Sequence, residues 1–159
     1  MSNDYFRNMR KMTPISSNPA VLNDYRLVMN LKGPNFVEPS FVNICYDNGA
    51  RVEGVLHEIA QRDFDRIAAS EGETYKLIEA SVVCGDRTVM AQTLMSEADT
   101  EQDLPISRRY LKILIKAAIQ SDLTAEYIAS LRSKRSVYYP ILSEIFAVRV
   151  YLWVRSRAR

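Results

Sequence analysis

The chain has 159 residues and 18.2 kDa, 47% apolar and 25% charged, with five Gly and six Pro. That is one ordinary soluble domain with room for a single core, which excludes a large two-domain enzyme and a disordered or fibrous chain. Two cysteines without a CxxC pair and a single histidine exclude a structural zinc site and a disulfide framework, and they leave any Ser-His-Asp chemistry resting on His57 alone.

The net charge of +2 is a cancellation. Residues 53–103 hold twelve Asp/Glu against four Arg/Lys, and residues 132–159 hold seven Arg/Lys against one Glu. Residues 1–13 are polar and charged, with neither a secretory leader pattern nor a clean hydrophobic period. A cytoplasmic protein is expected, and the first element of the domain is expected to be missing.

From Asn23 onward short runs of Val, Ile, Leu, Tyr and Phe, broken by Gly, Pro and Asn, predict strands over 25–31, 41–45 and 51–59. The last two are expected to form a hairpin through Asp47-Asn48-Gly49. Phe64, Ile67 and Ala68 on one face and Arg62, Asp63, Asp65 and Arg66 on the other predict a helix over 62–70, stopped by Gly72. Strands over 75–83 and 88–95 are joined through Gly85-Asp86, and an acidic loop over 97–103 follows.

After Pro105 the period is helical, with Tyr110, Leu111, Leu114, Ile115 and Ala118 in one stripe. Thr124 is a good N-cap for a further helix carrying Tyr127, Ile128 and Leu131, and a last helix is expected within 141–155. Strands first and helices later predict an α+β fold: a small mixed β-sheet, or a small closed β-barrel, flanked by helices. The organisation expected is a domain over 1–134 and a C-terminal helical extension with a basic end over 135–159. Residues 145–154 carry Arg149 and fall well short of the roughly 20 apolar residues a membrane span requires, so a packed or amphipathic helix is expected and no stable membrane insertion. Arg149, Arg155, Arg157 and Arg159 read more simply as a solvated helix end than as a nucleic-acid or anionic-membrane patch.

Few residues offer chemistry. Cys45 and Cys84 sit in apolar strand contexts and read as buried packing residues, and His57 as a structural or surface histidine. Glu71 is different. It falls in the last helical turn, where the negative end of the helix dipole disfavours a carboxylate by about 0.3–1 kcal/mol. Partial burial there would raise its pKa toward the range of a general base that later returns its proton. Taken alone, an exposed Glu remains the commoner explanation.

The stretch from Tyr25 to Lys134 resembles the gamma-glutamylcyclotransferase family, especially its fungal-type members. Asp24-Tyr25-Arg26-Leu27 is similar to the family's YRL strand start, and Glu38-Pro39-Ser40-Phe41-Val42-Asn43-Ile44 to its EPSFANI segment. Val52-Glu53-Gly54-Val55-Leu56 is similar to the V-x-G-V strand, Ser70-Glu71-Gly72 followed by Tyr75 to the EG…Y motif, and Pro105-Ile106-Ser107-Arg108-Arg109-Tyr110-Leu111 to PSxRY. The resemblance implies a gamma-glutamylcyclotransferase-like fold acting on a small γ-glutamyl compound. The substrate's α-amino group attacks its own γ-carbonyl, forming 5-oxoproline and releasing an amino acid or amine, with no metal or cofactor. Glu71 matches the catalytic glutamate and Tyr110 the substrate-contacting tyrosine, while Tyr75 lines the same cavity. Related fungal-type proteins serve glutathione turnover and the trimming of secondary metabolites.

The chain departs from the family at its start. The substrate loop YGSN has only Met1-Ser2-Asn3 as a counterpart, so Ser2 and Asn3 are the substrate-binding residues it implies there and a truncated chain is expected. Two other readings compete: a non-catalytic, degenerate binding remnant of the same fold, and a membrane- or nucleic-acid-associated module using the Arg-rich tail. The partner expected is a small molecule, with no nucleic acid.

Overall fold

The computed structural model describes residues 5–71 and 75–157. Its main feature is a long antiparallel hairpin of β1 (Ser16–Lys32) and β2 (Ser40–Glu58). β1 begins earlier than expected, because the weak strand formers Ser16, Ser17, Asn18 and Pro19 are recruited by pairing with the far end of β2. Pro19 is tolerated there because β1 has a ladder on one side only at that level, β3 joining it at Val21 and Leu22.

The Asn48-Gly49 signal does not reverse the chain, which corrects the expected hairpin. Asn23 pairs with Arg51 and Tyr25 with Tyr46, so residues 47–50 form a bulge within β2 opposite Asp24. Gly49 adopts φ +81° and Asp24 φ +61°, and the Gly49 N–H donates to Asp24 Oδ1 at 3.0 Å. The local preference for positive φ is satisfied, but β1 runs alongside both halves of β2 and leaves no room for a turn.

α1 (Gln61–Glu71) leads into the second hairpin, β3 (Lys76–Cys84) and β4 (Arg87–Met95), which turns through Gly85-Asp86 with Gly85 at φ +58° as the sequence predicts. The sheet order is β2-β1-β3-β4. It is an open sheet, so the closed-barrel alternative is corrected. Between β2 and the end of β4 there is a side-chain bridge instead of a ladder. Buried Asn43 donates through Nδ2 to the Ser96 carbonyl at 2.7 Å and accepts from the Ser96 N–H at 3.0 Å through Oδ1. Its amide thus does locally what a paired strand would do.

The acidic loop is tied to cations rather than solvated alone. Asp99 pairs with Lys32 at 2.7 Å, Glu97 with Lys76 and Asp103 with Lys134, while Asp103 Oδ1 also accepts the Met29 N–H at 2.8 Å. Hydrogen bonds and charge from Lys76 and Lys32 hold the Glu97 and Asp99 carboxyls below their ordinary range. For Asp103 burial pushes upward, but bonds from Lys134 and Met29 and the charges of Lys134 and Arg26 together outweigh it.

β5 (Ile106–Ser107) pairs in parallel with β6 (Ser136–Val137), and α2 (Arg108–Gln120) and α3 (Ala125–Arg132) lie between them in the chain. Ser107 caps α2 through the Tyr110 N–H, and Thr124 caps α3 through the Tyr127 N–H. The main core packs Met29, Ile106 and Leu111 with Leu27, Val42, Tyr110, Leu114 and Ile115. A second cluster joins Phe6, Met12, Ile67 and Ile59. The N-terminal segment therefore contributes core despite lacking a hydrophobic period, through a π-helical turn at Tyr5–Arg10.

α4 (Leu142–Arg157) lies against that turn. It is not amphipathic: Ile145, Val148 and Leu152 are exposed along one stripe, and Trp153 is exposed off it. No helix among the described residues is long and apolar enough to cross a membrane.

Candidate functional site

α1 carries the residue of greatest chemical interest at its end. The helix starts where the Ala60 carbonyl accepts the Asp63 and Phe64 N–H groups, and Asp63 places an acid in the positive first turn. Ile67 buries the inner face against Phe6 and Met12. Glu71 is the last residue of α1; its side chain lies outside the described residues, as do Ser2, Asn3 and Gly72.

The last turn contains a group that linear reading missed. Arg10, only 9% exposed, donates to the hydroxyl of Ser70, which itself donates to the Ile67 carbonyl at 2.8 Å. A guanidinium at a helix C-terminus is favourable, and it offsets the local rule that Glu71 breaks. No sequence signal ties Arg10 to Ser70, because sixty residues separate them.

Tyr75 is partly buried at the foot of β3, on the far side of the α1–β3 connection from Glu71. Tyr110 is the third residue of α2, and its ring stands edge-on to Phe41 of β2 at 5.7 Å and 67°. Glu71 and Tyr75 thus flank one connection in the chain, while Tyr110 packs between α2 and the long hairpin.

The remaining candidates have structural partners. Ser17 Oγ lies 2.8 Å from His57 Nδ1, and the imidazole packs at 4.6 Å against Phe6. Cys45 and Cys84 are free thiols, partly exposed rather than buried because each sits near a strand edge or turn; Cys45 Sγ accepts from Asn30 Nδ2 at 3.6 Å. Glu53, 7% exposed, accepts the Thr124 N–H at 2.8 Å and the Thr124 hydroxyl at 2.6 Å, so this carboxylate of the V-x-G-V strand anchors α3. Among the described residues no group of three or more His, Cys, Asp and Glu is placed to hold a metal ion.

The sequence profile of the AIG2-like family matches residues 51–131, the stretch that carries Glu71, Tyr75 and Tyr110. The chain belongs to the AIG2-like family. Among its relatives, the AIG2-like chain is 25% identical over 172 residues to gamma-glutamyl cyclotransferase gliK of Claviceps purpurea, covering 99% of this chain and 77% of that protein. It is 25% identical over 165 residues to gamma-glutamyl cyclotransferase aclK of Aspergillus oryzae, covering 88% of this chain and 60% of that one. A solved gamma-glutamyl cyclotransferase superposes with a TM-score of 0.74 at 18% identity, over 94% of this chain and 91% of that one. The AIG2-like chain therefore has the gamma-glutamylcyclotransferase-like fold expected from its motifs.

Proposed function

We propose that this protein is a gamma-glutamylcyclotransferase, acting in the cytoplasm on a small γ-glutamyl compound. The observation that carries the reading is Glu71 in Ser70-Glu71-Gly72, ending a helix inside the family-matched stretch. Glu71 takes a proton from the substrate's α-ammonium, and the freed amine attacks the γ-carbonyl of the same molecule. A five-membered lactam, 5-oxoproline, closes as the C–N bond to the departing amine breaks; Glu71 returns the first proton to that nitrogen, and the second proton, shed by the attacking nitrogen as it becomes the lactam N–H, leaves the released amine as an ammonium. Nucleophile and electrophile are tethered, so the protein's main task is to fold the substrate into an attack conformer. Tyr75 and Tyr110 contact the substrate, and Ser2 and Asn3 supply the polar cradle for its charge. Residues 135–159 are an extension beyond the catalytic domain of 1–134.

Release of 5-oxoproline from γ-glutamyl-alanine, glutathione and a γ-glutamyl amine tests the assignment and separates the substrate classes. Glu71→Gln is expected to lower kcat by about 100-fold or more, the share a positioned acid–base group contributes. Retained turnover in that variant would remove Glu71 from the mechanism. A folded wild-type chain that releases 5-oxoproline from none of the three substrates would identify the non-catalytic reading instead.

A further inference from the structure

The face of α2 turned away from the core holds a concave site. Tyr110, Leu111, Leu114 and Ile115 face inward, whereas Arg108, Lys112 and Lys116 lie one turn apart along the outer face. With Arg109, Tyr138 and Tyr139 they line a cleft of about 300 Å³, the lower end of the range for small-ligand sites. Arg108, Lys112 and Lys116 pair with no carboxylate among the described residues. Lys32, Lys76 and Lys134 are each paired with a carboxylate of the acidic loop, so this concentration of charge stands out.

The cleft is also built from beneath. Glu38 is 0% exposed, and its Oε2 accepts from Arg109 Nη2 at 2.8 Å. Glu38 Oε1 and Arg109 Nε are both buried without a hydrogen-bond partner, so Arg109 is tethered by one bond and retains unspent donor capacity. Burying a carboxylate is costly, and its use here is to fix a guanidinium at the edge of the cleft. Arg108, also lining the cleft, lies over the ring of Tyr138 at 5.1 Å, and Tyr138 is 64% exposed.

We propose that this cleft binds a small molecule carrying two or more phosphate charges. Three unpaired cations match a multiply charged anion rather than a single carboxylate. Ammonium groups on flexible stems act as point charges and suit the oxygens of a phosphate chain, which face several directions. Arg108 and Lys116 lie about 12 Å apart along the helix axis, so the site suits an extended anion. An inorganic polyphosphate and the phosphate chain of a nucleotide share this chemistry; in the nucleotide the base has the exposed Tyr138 ring to stack on. The inference is independent of the cyclotransferase reading.

The test titrates the full chain with tripolyphosphate, ADP and citrate at matched ionic strength, following backbone amide shifts by NMR and affinity by calorimetry. Saturable binding of tripolyphosphate or ADP is expected, with shifts centred on residues 108–116 and 138–139, weakened about tenfold or more in Lys112→Ala/Lys116→Ala. Both lysines are exposed, so that variant is expected to keep the wild-type Tm and its 5-oxoproline release. Tyr138→Ala weakening ADP but not tripolyphosphate identifies a nucleotide as the occupant; equal effects identify a phosphate without a ring. No saturable binding, binding unchanged in the double-lysine variant, or citrate binding as tightly as tripolyphosphate overturns the proposal.

Discussion

Glu53 illustrates how one side chain joins distant parts of this chain. Its two oxygens accept from the Thr124 main chain and hydroxyl, closing the N-terminus of α3 onto β2 across 71 residues. Glu53→Gln keeps the shape but loses the charge, so a loss of about 1–3 kcal/mol is expected in urea unfolding. Tyr127 reports the same contact. Burial first, and the Glu53 charge second, push its phenol up to about 12. In Glu53→Gln that value should fall only part of the way to 10.0, because burial, the larger cause, remains. A phenol that holds its proton more tightly when folded contributes stability present in full below pH 10.0 and lost as the pH rises through about 12. Ultraviolet titration of the tyrosines and the alkaline limb of the stability curve check both statements. At this scale the place of Glu71 at the end of α1 and of Tyr110 in the first turn of α2 was legible from their motif contexts. Arg10 and Asn43 were not recognisable as a helix-end cation and a sheet clamp, because their partners lie sixty and fifty-three residues away.

Among the elements, the acidic loop between β4 and β5 depends on pH in a defined direction. Glu97, Asp99 and Asp103 all hold their protons less tightly in the folded protein than in ordinary carboxyls. Their contribution is therefore present above the ordinary values of 4.5 for the Glu and 3.8 for the two Asp, and is lost as the pH falls through the lowered folded values. Hydrogen exchange should show residues 97–103 losing protection on acidification before α2 does. Loop and helix losing protection together would mean that the ion pairs do not set the loop's stability. The acidic character of this segment was plain in the sequence. Its partners, Lys32, Lys76 and Lys134, were not, since they come from β1, β3 and the end of α3. The helices and the β3–β4 hairpin were legible because a cap, an apolar stripe or a two-residue turn is completed within a few neighbouring residues.

For the whole molecule, the two apolar clusters make distinct predictions. Ile106 is fully buried between the long hairpin and α2, so Ile106→Ala is expected to cost about 2–5 kcal/mol and to lower the Tm of the entire chain. Phe6 packs the N-terminal turn against Ile67 of α1, so Phe6→Ala should first expose the α1 amides to exchange and reduce 5-oxoproline release, with the β1–β2 ladder still protected. Equal loss of protection in α1 and β1 would show that the two clusters unfold as one.

Short-range patterns in the amino-acid sequence sufficed for the α+β class, the helices with their caps, the second hairpin and the motif order that resembles the gamma-glutamylcyclotransferase family. These depend on patterns of a few residues or on composition. The tertiary structure decided what the Asn-Gly signal became, because β1 runs past both sides of it and a bulge is the only solution. It also decided that the sheet stays open, bridged by the Asn43 amide, and that Arg10 meets the end of α1 while Glu38 tethers Arg109. Each of these is a contact between residues separated by decades of sequence, and such contacts exist only once the hairpins and helices have packed.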